Sequence, residues 1–183
     1  MNLSLTNQKW SLLALNVIFG AVLLYSYYHY ITKSGVPTKM LWGKAYKVEK
    51  VYLASMVLAA IGYLLVLVFS VFKTPNTKVN NGLLSNLLVI QAVIVVVSMI
   101  WLPMTLAYLK DKGNKTLTMV AILLILFIVA LASAKQILLV KNLTPENNDC
   151  ARTMKTLAKI GAGYFFVHTF FFDFIGWDLG FFS

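Results

Sequence analysis

Long runs without a single charged side chain constrain this sequence more than any motif does. No Asp, Glu, Lys or Arg occurs between Lys9 and Lys33, between Lys50 and Lys73, between Lys78 and Lys110, or between Lys115 and Lys135. Wound as α-helix at about 1.5 Å per residue, runs of this length cross a hydrocarbon layer roughly 30 Å thick. The whole chain is 60% hydrophobic and 12% charged, against roughly 25% charged for a soluble domain. An all-α, polytopic integral membrane protein follows, with five transmembrane helices joined by short loops in a single domain over residues 1–183. The expected spans are residues 10–32, 51–72, 83–109, 116–140 and 156–177.

The span ends carry the residues that suit a membrane boundary. Trp10 marks one end of the first span, and Tyr25, Tyr27, Tyr28 and Tyr30 crowd the other, at headgroup level. This first segment is expected to be retained, since no small-x-small cleavage site follows it. Gly35 and Pro37 break the helix beyond Lys33, and residues 41–50, with Trp42 and Tyr46, are expected along the membrane surface. Ala54, Ser55, Ala59, Ala60 and Gly62 give the second span a face that a neighbouring helix can approach closely. Asn80, Asn81 and Gly82 read as the next turn, and Pro103 as the cause of a bend. The charged turn Lys110–Asn114 is short enough to make spans three and four antiparallel neighbours. Lys135 is expected to snorkel to the interface. Thr144-Pro145-Glu146, or Asp149 ahead of Arg152, reads as the start of the last helix.

Ionisable side chains inside an apolar segment are functional candidates, and the last span has two, His168 and Asp173. Ten of the 25 aromatic residues fall in the last 24 positions, so both sit among phenylalanines. Only 13 residues separate Lys159 from Asp173. That is about 20 Å of helix, and it draws Asp173 toward the far interface. On an α-helix, Lys159, Ala162, Thr169 and Asp173 share one face, and Gly161, Tyr164 and His168 share another about 140° away. His168 and Asp173 are therefore not expected to meet. Spans one and five run in the same direction, so His29 is the best-placed partner for Asp173 where those spans pack together; separate hydration of the two at the interface is the alternative. Gln91 and Ser98 lie on one face of span three, where interhelical hydrogen bonding is the expected role.

Several function classes lose ground on composition. The net charge of +10 comes from 16 basic and six acidic residues, but the basic ones are scattered between apolar runs, so no nucleic-acid partner is expected. A single cysteine, Cys150, excludes an internal disulfide framework and a thiolate cluster. Two histidines at different depths do not suit a bis-histidine haem, and neither HExxH nor a glycine-rich phosphate loop occurs. No cofactor or metal is expected. Lysines and arginines are nearly balanced between the two sides, so orientation is not fixed.

Residues Tyr27 to Lys33, Pro37, Trp42 and Tyr52, followed by Trp101-Leu102-Pro103, keep the order of an aromatic-Lys-Pro-Trp first loop and a Trp-x-Pro in span three. In this the chain resembles the translocator-protein (tryptophan-rich sensory protein) family, although that family's paired loop prolines and its Leu-Asn in the last span are missing. The resemblance implies binding of porphyrin or sterol-like ligands, with Trp42 and Trp101 near the pocket. The leading expectation is nevertheless a non-enzymatic accessory or structural subunit of a larger membrane assembly, partnered by the lipid bilayer and by other membrane subunits or copies of itself. The alternatives are a small homo-oligomeric ion or proton channel or carrier using Asp173 and His168, and the ligand binder. The candidate residues are His168, Asp173, His29, Tyr164, Gln91, Trp42 and Trp101.

Overall fold

The computed structural model describes residues 5–110, 115–177 and 179–180, and every regular element among them is helical. Helix α1 is Leu5–Lys33, α2 is Thr38–Trp42, followed by a 3₁₀ segment Gly43–Val48. Helices α3 (Glu49–Phe72), α4 (Lys78–Leu109) and α5 (Lys115–Asn142) come next. Finally α6, Asp149–Val167, runs directly into a π-helical segment, His168–Trp177. Four helices, over Gln8–Lys33, Glu49–Phe72, Lys78–Leu109 and Lys115–Asn142, are long and apolar enough to cross a membrane, which is consistent with a membrane location.

Two helix pairs make the most extensive contacts, α4 with α5 and α3 with α6. Helix α5 also packs on α6, and α1 lies against α4 with a lighter contact to α3. Leu84 and Leu87 share a core cluster with Leu139 and Val140, while Ile94 shares another with Val129 and Ala132, so α4 and α5 run in opposite directions. Residues 111–114 of the expected turn Lys110–Asn114 lie outside the described residues. Lipid tails are as apolar as leucine, so close packing and interhelical hydrogen bonds must hold such a bundle. The tightest approach is between Gly62 and Gly161: a Cβ on Gly62 would lie 2.5 Å from the Gly161 carbonyl oxygen. Of the small residues expected to form a close face on the second span, Ser55 and Gly62 meet the last helix and Ala59 is buried, whereas Ala54 and Ala60 are exposed.

The turns at the other end differ from expectation. Asn80, Asn81 and Gly82 do not form a turn; they belong to the first turn of α4, which Thr77 caps by accepting from Asn80 N at 3.2 Å. Asn80 is fully buried and fastens two turns together. Its amide donates to the carbonyls of Pro75 and Thr144, both at 3.0 Å, and its oxygen accepts from Thr144 N at 2.9 Å. A buried amide with three partners is satisfied, whereas an exposed turn would leave it to solvent. Helix α6 is capped by Asn148, which accepts from Ala151 N at 2.8 Å, one residue ahead of the Asp149 start. Helix α4 continues through Pro103 to Leu109.

Candidate functional site

Between the α1 end, the α2 loop, and α3 to the carboxy-terminal segment lies a cavity of about 300 Å3. Tyr27, Trp42, Trp101 and Trp177 line it, and Tyr52 and Phe172 pack behind them. Trp42 packs edge-on against Tyr52 (centroids 5.5 Å apart), and Tyr52 against Phe172 (5.4 Å). In the same cluster Trp101 meets Trp177 at 5.4 Å, and Tyr27 meets Trp101 at 6.0 Å. Offset and edge-to-face pairs of this kind fix ring orientation as well as burying area. Hydrogen bonds then pin the walls to the frame: Tyr27 Oη donates to Ser98 O at 2.9 Å, Tyr52 Oη to Phe172 O at 3.1 Å, and Trp177 Nε1 to Leu41 O at 2.9 Å. The last of these ties the carboxy-terminal segment to the loop that closes the cavity.

His168 and Asp173 both line this cavity, and they meet: His168 Nε2 is 3.4 Å from Asp173 Oδ1. The α-helical expectation that they face apart is overturned by the π-helical winding of His168–Trp177. In an α-helix positions i and i+5 diverge by about 140°, whereas the i to i+5 hydrogen bond of a π-helix sets them one above the other. Tertiary bonds hold the segment in that form, with Thr169 Oγ1 against Ser133 Oγ at 2.8 Å near its start and Trp177 on Leu41 at its end. Gly176 lies so close to α3 that a Cβ there would be 2.5 Å from Tyr52 Oη.

The imidazole is buried at 4% exposure and stacks on Phe172 at 5.7 Å. Its Nδ1 lies 2.8 Å from Ser55 Oγ, which lies 3.0 Å from Tyr164 Oη. With a proton on Nε2 facing Asp173, the polarity is consistent throughout: Tyr164 donates to Ser55 and Ser55 donates to Nδ1. Tyr164 and Ser55 thereby fix the imidazole, and the Asp173 carboxylate, about one-third exposed, is presented to the cavity.

His29 is not the partner of Asp173. Helix α1 packs on α4 rather than on α6, and the exposed His29 ring lies beside Tyr25 and Tyr30. Gln91 also lies apart from the cavity. It accepts from Asn16 Nδ2 at 2.7 Å, while Tyr63 Oη donates to Asn16 Oδ1 at 2.5 Å, forming a buried link among α1, α3 and α4. Lys135 is exposed on α5. Trp42 and Trp101 both line the cavity.

Sequence reasoning treated Tyr27 as a boundary anchor and Ser55 as a packing residue, and it gave Tyr52 and Trp177 no site role. Glu49, within the stretch 41–50 expected along the membrane surface, lines the cavity with Asp173. The pattern that would have revealed them is the shared end of the bundle to which α1, α3 and the last helix bring them. No family model matches the chain, and no curated protein or solved structure matches it either.

Proposed function

We propose that this chain is a non-enzymatic integral membrane protein of five spans, the fifth formed by α6 and its π-helical extension, that holds a rigid apolar ligand bearing one cationic or hydrogen-bond-donating group. One observation carries the reading: an aromatic cavity of about 300 Å3 contains two carboxylates, Glu49 and Asp173, in a protein of net charge +10. Ligand sites are typically apolar concavities with a few convergent polar groups, and cations are favoured over the faces of Trp and Tyr. The α6 segment reaches across a bilayer when Lys159 snorkels, since Asp173 is taken into the cavity rather than into lipid.

A sterol-like skeleton with a hydroxyl or amine suits this chemistry, and a porphyrin whose own carboxylates would face Glu49 and Asp173 suits it less. The tryptophans that the translocator-protein resemblance puts near a pocket, Trp42 and Trp101, support the same reading. In thermal unfolding of the purified full-length protein, saturating amine-bearing sterol is expected to raise the midpoint by about 5 °C. Trp101→Ala and Trp42→Ala should each reduce that rise. Absence of stabilisation by either the amine-bearing or the neutral sterol would overturn the proposal.

An accessory-subunit role is the second reading, supported by the flank of α1, where Leu12 is the one buried residue among those described. Co-purification of a stoichiometric partner in mild detergent would favour it, and a stable lone monomer would count against it.

A further inference from the structure

A second cavity, of about 310 Å3, lies outside the aromatic one, between the ends of α1 and α4. Lys33, Ser34 and His29 form one wall, and Lys110, Leu106 and Pro103 the other. Gly35, with a φ of 68°, turns the chain immediately after Ser34, a conformation that glycine adopts without steric cost. Ser34 Oγ accepts from Val36 N at 3.1 Å, so its hydroxyl proton remains able to donate.

A lysine at a helix carboxy terminus is commonly explained by the partial negative charge of the last carbonyls. Here some of those carbonyls already have donors, since Tyr30 O accepts from Ser34 N and Leu106 O from Lys110 N, both at 3.0 Å. No Asp or Glu is found among the described residues lining the cavity. Two lysines, a histidine and a serine therefore line one concavity together with the apolar side chains of Pro103, Leu106 and Ala107.

We propose that this cavity binds the phosphate of an anionic phospholipid headgroup, with Lys33 and Lys110 holding the phosphate, Ser34 donating to it, and the acyl chain running along Pro103 and Leu106. Lysine is a point-charge binder of phosphate, and basic pockets between transmembrane helices on one side of a bundle hold lipid headgroups in this way. The lipid source is favoured over free phosphate because α1 is exposed along most of its apolar length, so the cavity adjoins the surface where lipid chains lie.

The test is native mass spectrometry of the full-length protein released from nanodiscs containing phosphatidylglycerol and phosphatidylcholine with matched chains. The wild type should retain phosphatidylglycerol preferentially, and Lys33→Gln/Lys110→Gln should reduce that preference by roughly tenfold or more. Lys47→Gln/Lys50→Gln removes the same charge from the same side, away from the cavity, and should leave the preference near the wild-type level. Equal loss in both double variants would reduce the effect to general surface charge and overturn the site. Displacement of the lipid by an equal concentration of inorganic phosphate would overturn the headgroup assignment. Thermal unfolding of the ligand-free variants separates loss of the site from loss of the fold.

Discussion

The two cavities have nearly the same size and opposite chemistry. Among the described lining residues, the inner one has two carboxylates and no Lys or Arg, whereas the outer one has two lysines and no acid. Trp177 and His168, at 2% and 4% exposure, make part of the inner wall rigid, and Lys33 and Lys110 on the outer wall are exposed. On the proposed readings, inner selectivity would rest on shape and on a carboxylate inside an aromatic cavity, while outer binding would rest on exposed charge and weaken with salt. A net charge of +10 describes neither site, because helix ends and packing decide where each charge is displayed.

Gly62→Leu is the strongest way to break this contrast. Even a Cβ at Gly62 would meet Gly161 O at 2.5 Å, so α3 and α6 must separate, at a cost of about 3 kcal/mol. The expected outcome is a lower unfolding midpoint and loss of sterol stabilisation, with phosphatidylglycerol retention between α1 and α4 preserved. Loss of both together would show that the cavities are not independent. Asp173→Asn sharpens the contrast at the level of charge. It should weaken binding of the amine-bearing sterol by about tenfold or more and leave the neutral sterol nearly unaffected, as read by calorimetric titration. Equal weakening of both ligands would remove the carboxylate from recognition. Ser55→Ala has the smallest effect, about 1 kcal/mol of stability in thermal unfolding, because it removes the hydroxyl shared by Tyr164 and His168. An unchanged midpoint would mean that packing alone holds the imidazole.

Hydropathy and charge spacing made the four long helices legible, since Lys and Pro bound the apolar runs at nearly the observed ends. The close face of the second span was legible in part: Gly62 and Ala59 are buried as expected, whereas Ala54 and Ala60 are exposed. The His168–Asp173 contact was not legible. An α-helical wheel separates the two, and nothing in the local run of phenylalanines announces a π-helix; bonds to Ser133 and Leu41, far away in sequence, hold it. The expected His29–Asp173 pair failed for a related reason, because helix direction fixes depth but not which helices are neighbours. Asn80 misled in the opposite sense: a turn-forming residue type was used to fasten two turns from inside a helix.

The placement of the tryptophans gives the molecule its own optical reporter. Trp42, Trp101 and Trp177 line the inner cavity, and Trp10, the fourth, is 58% exposed on α1 far along the chain from them. Intrinsic fluorescence is thus weighted three to one toward the cavity walls. Replacing Trp10 with phenylalanine would leave tryptophan emission that arises from the walls of the inner cavity alone, so a change in that cavity can be followed in the purified protein without a label.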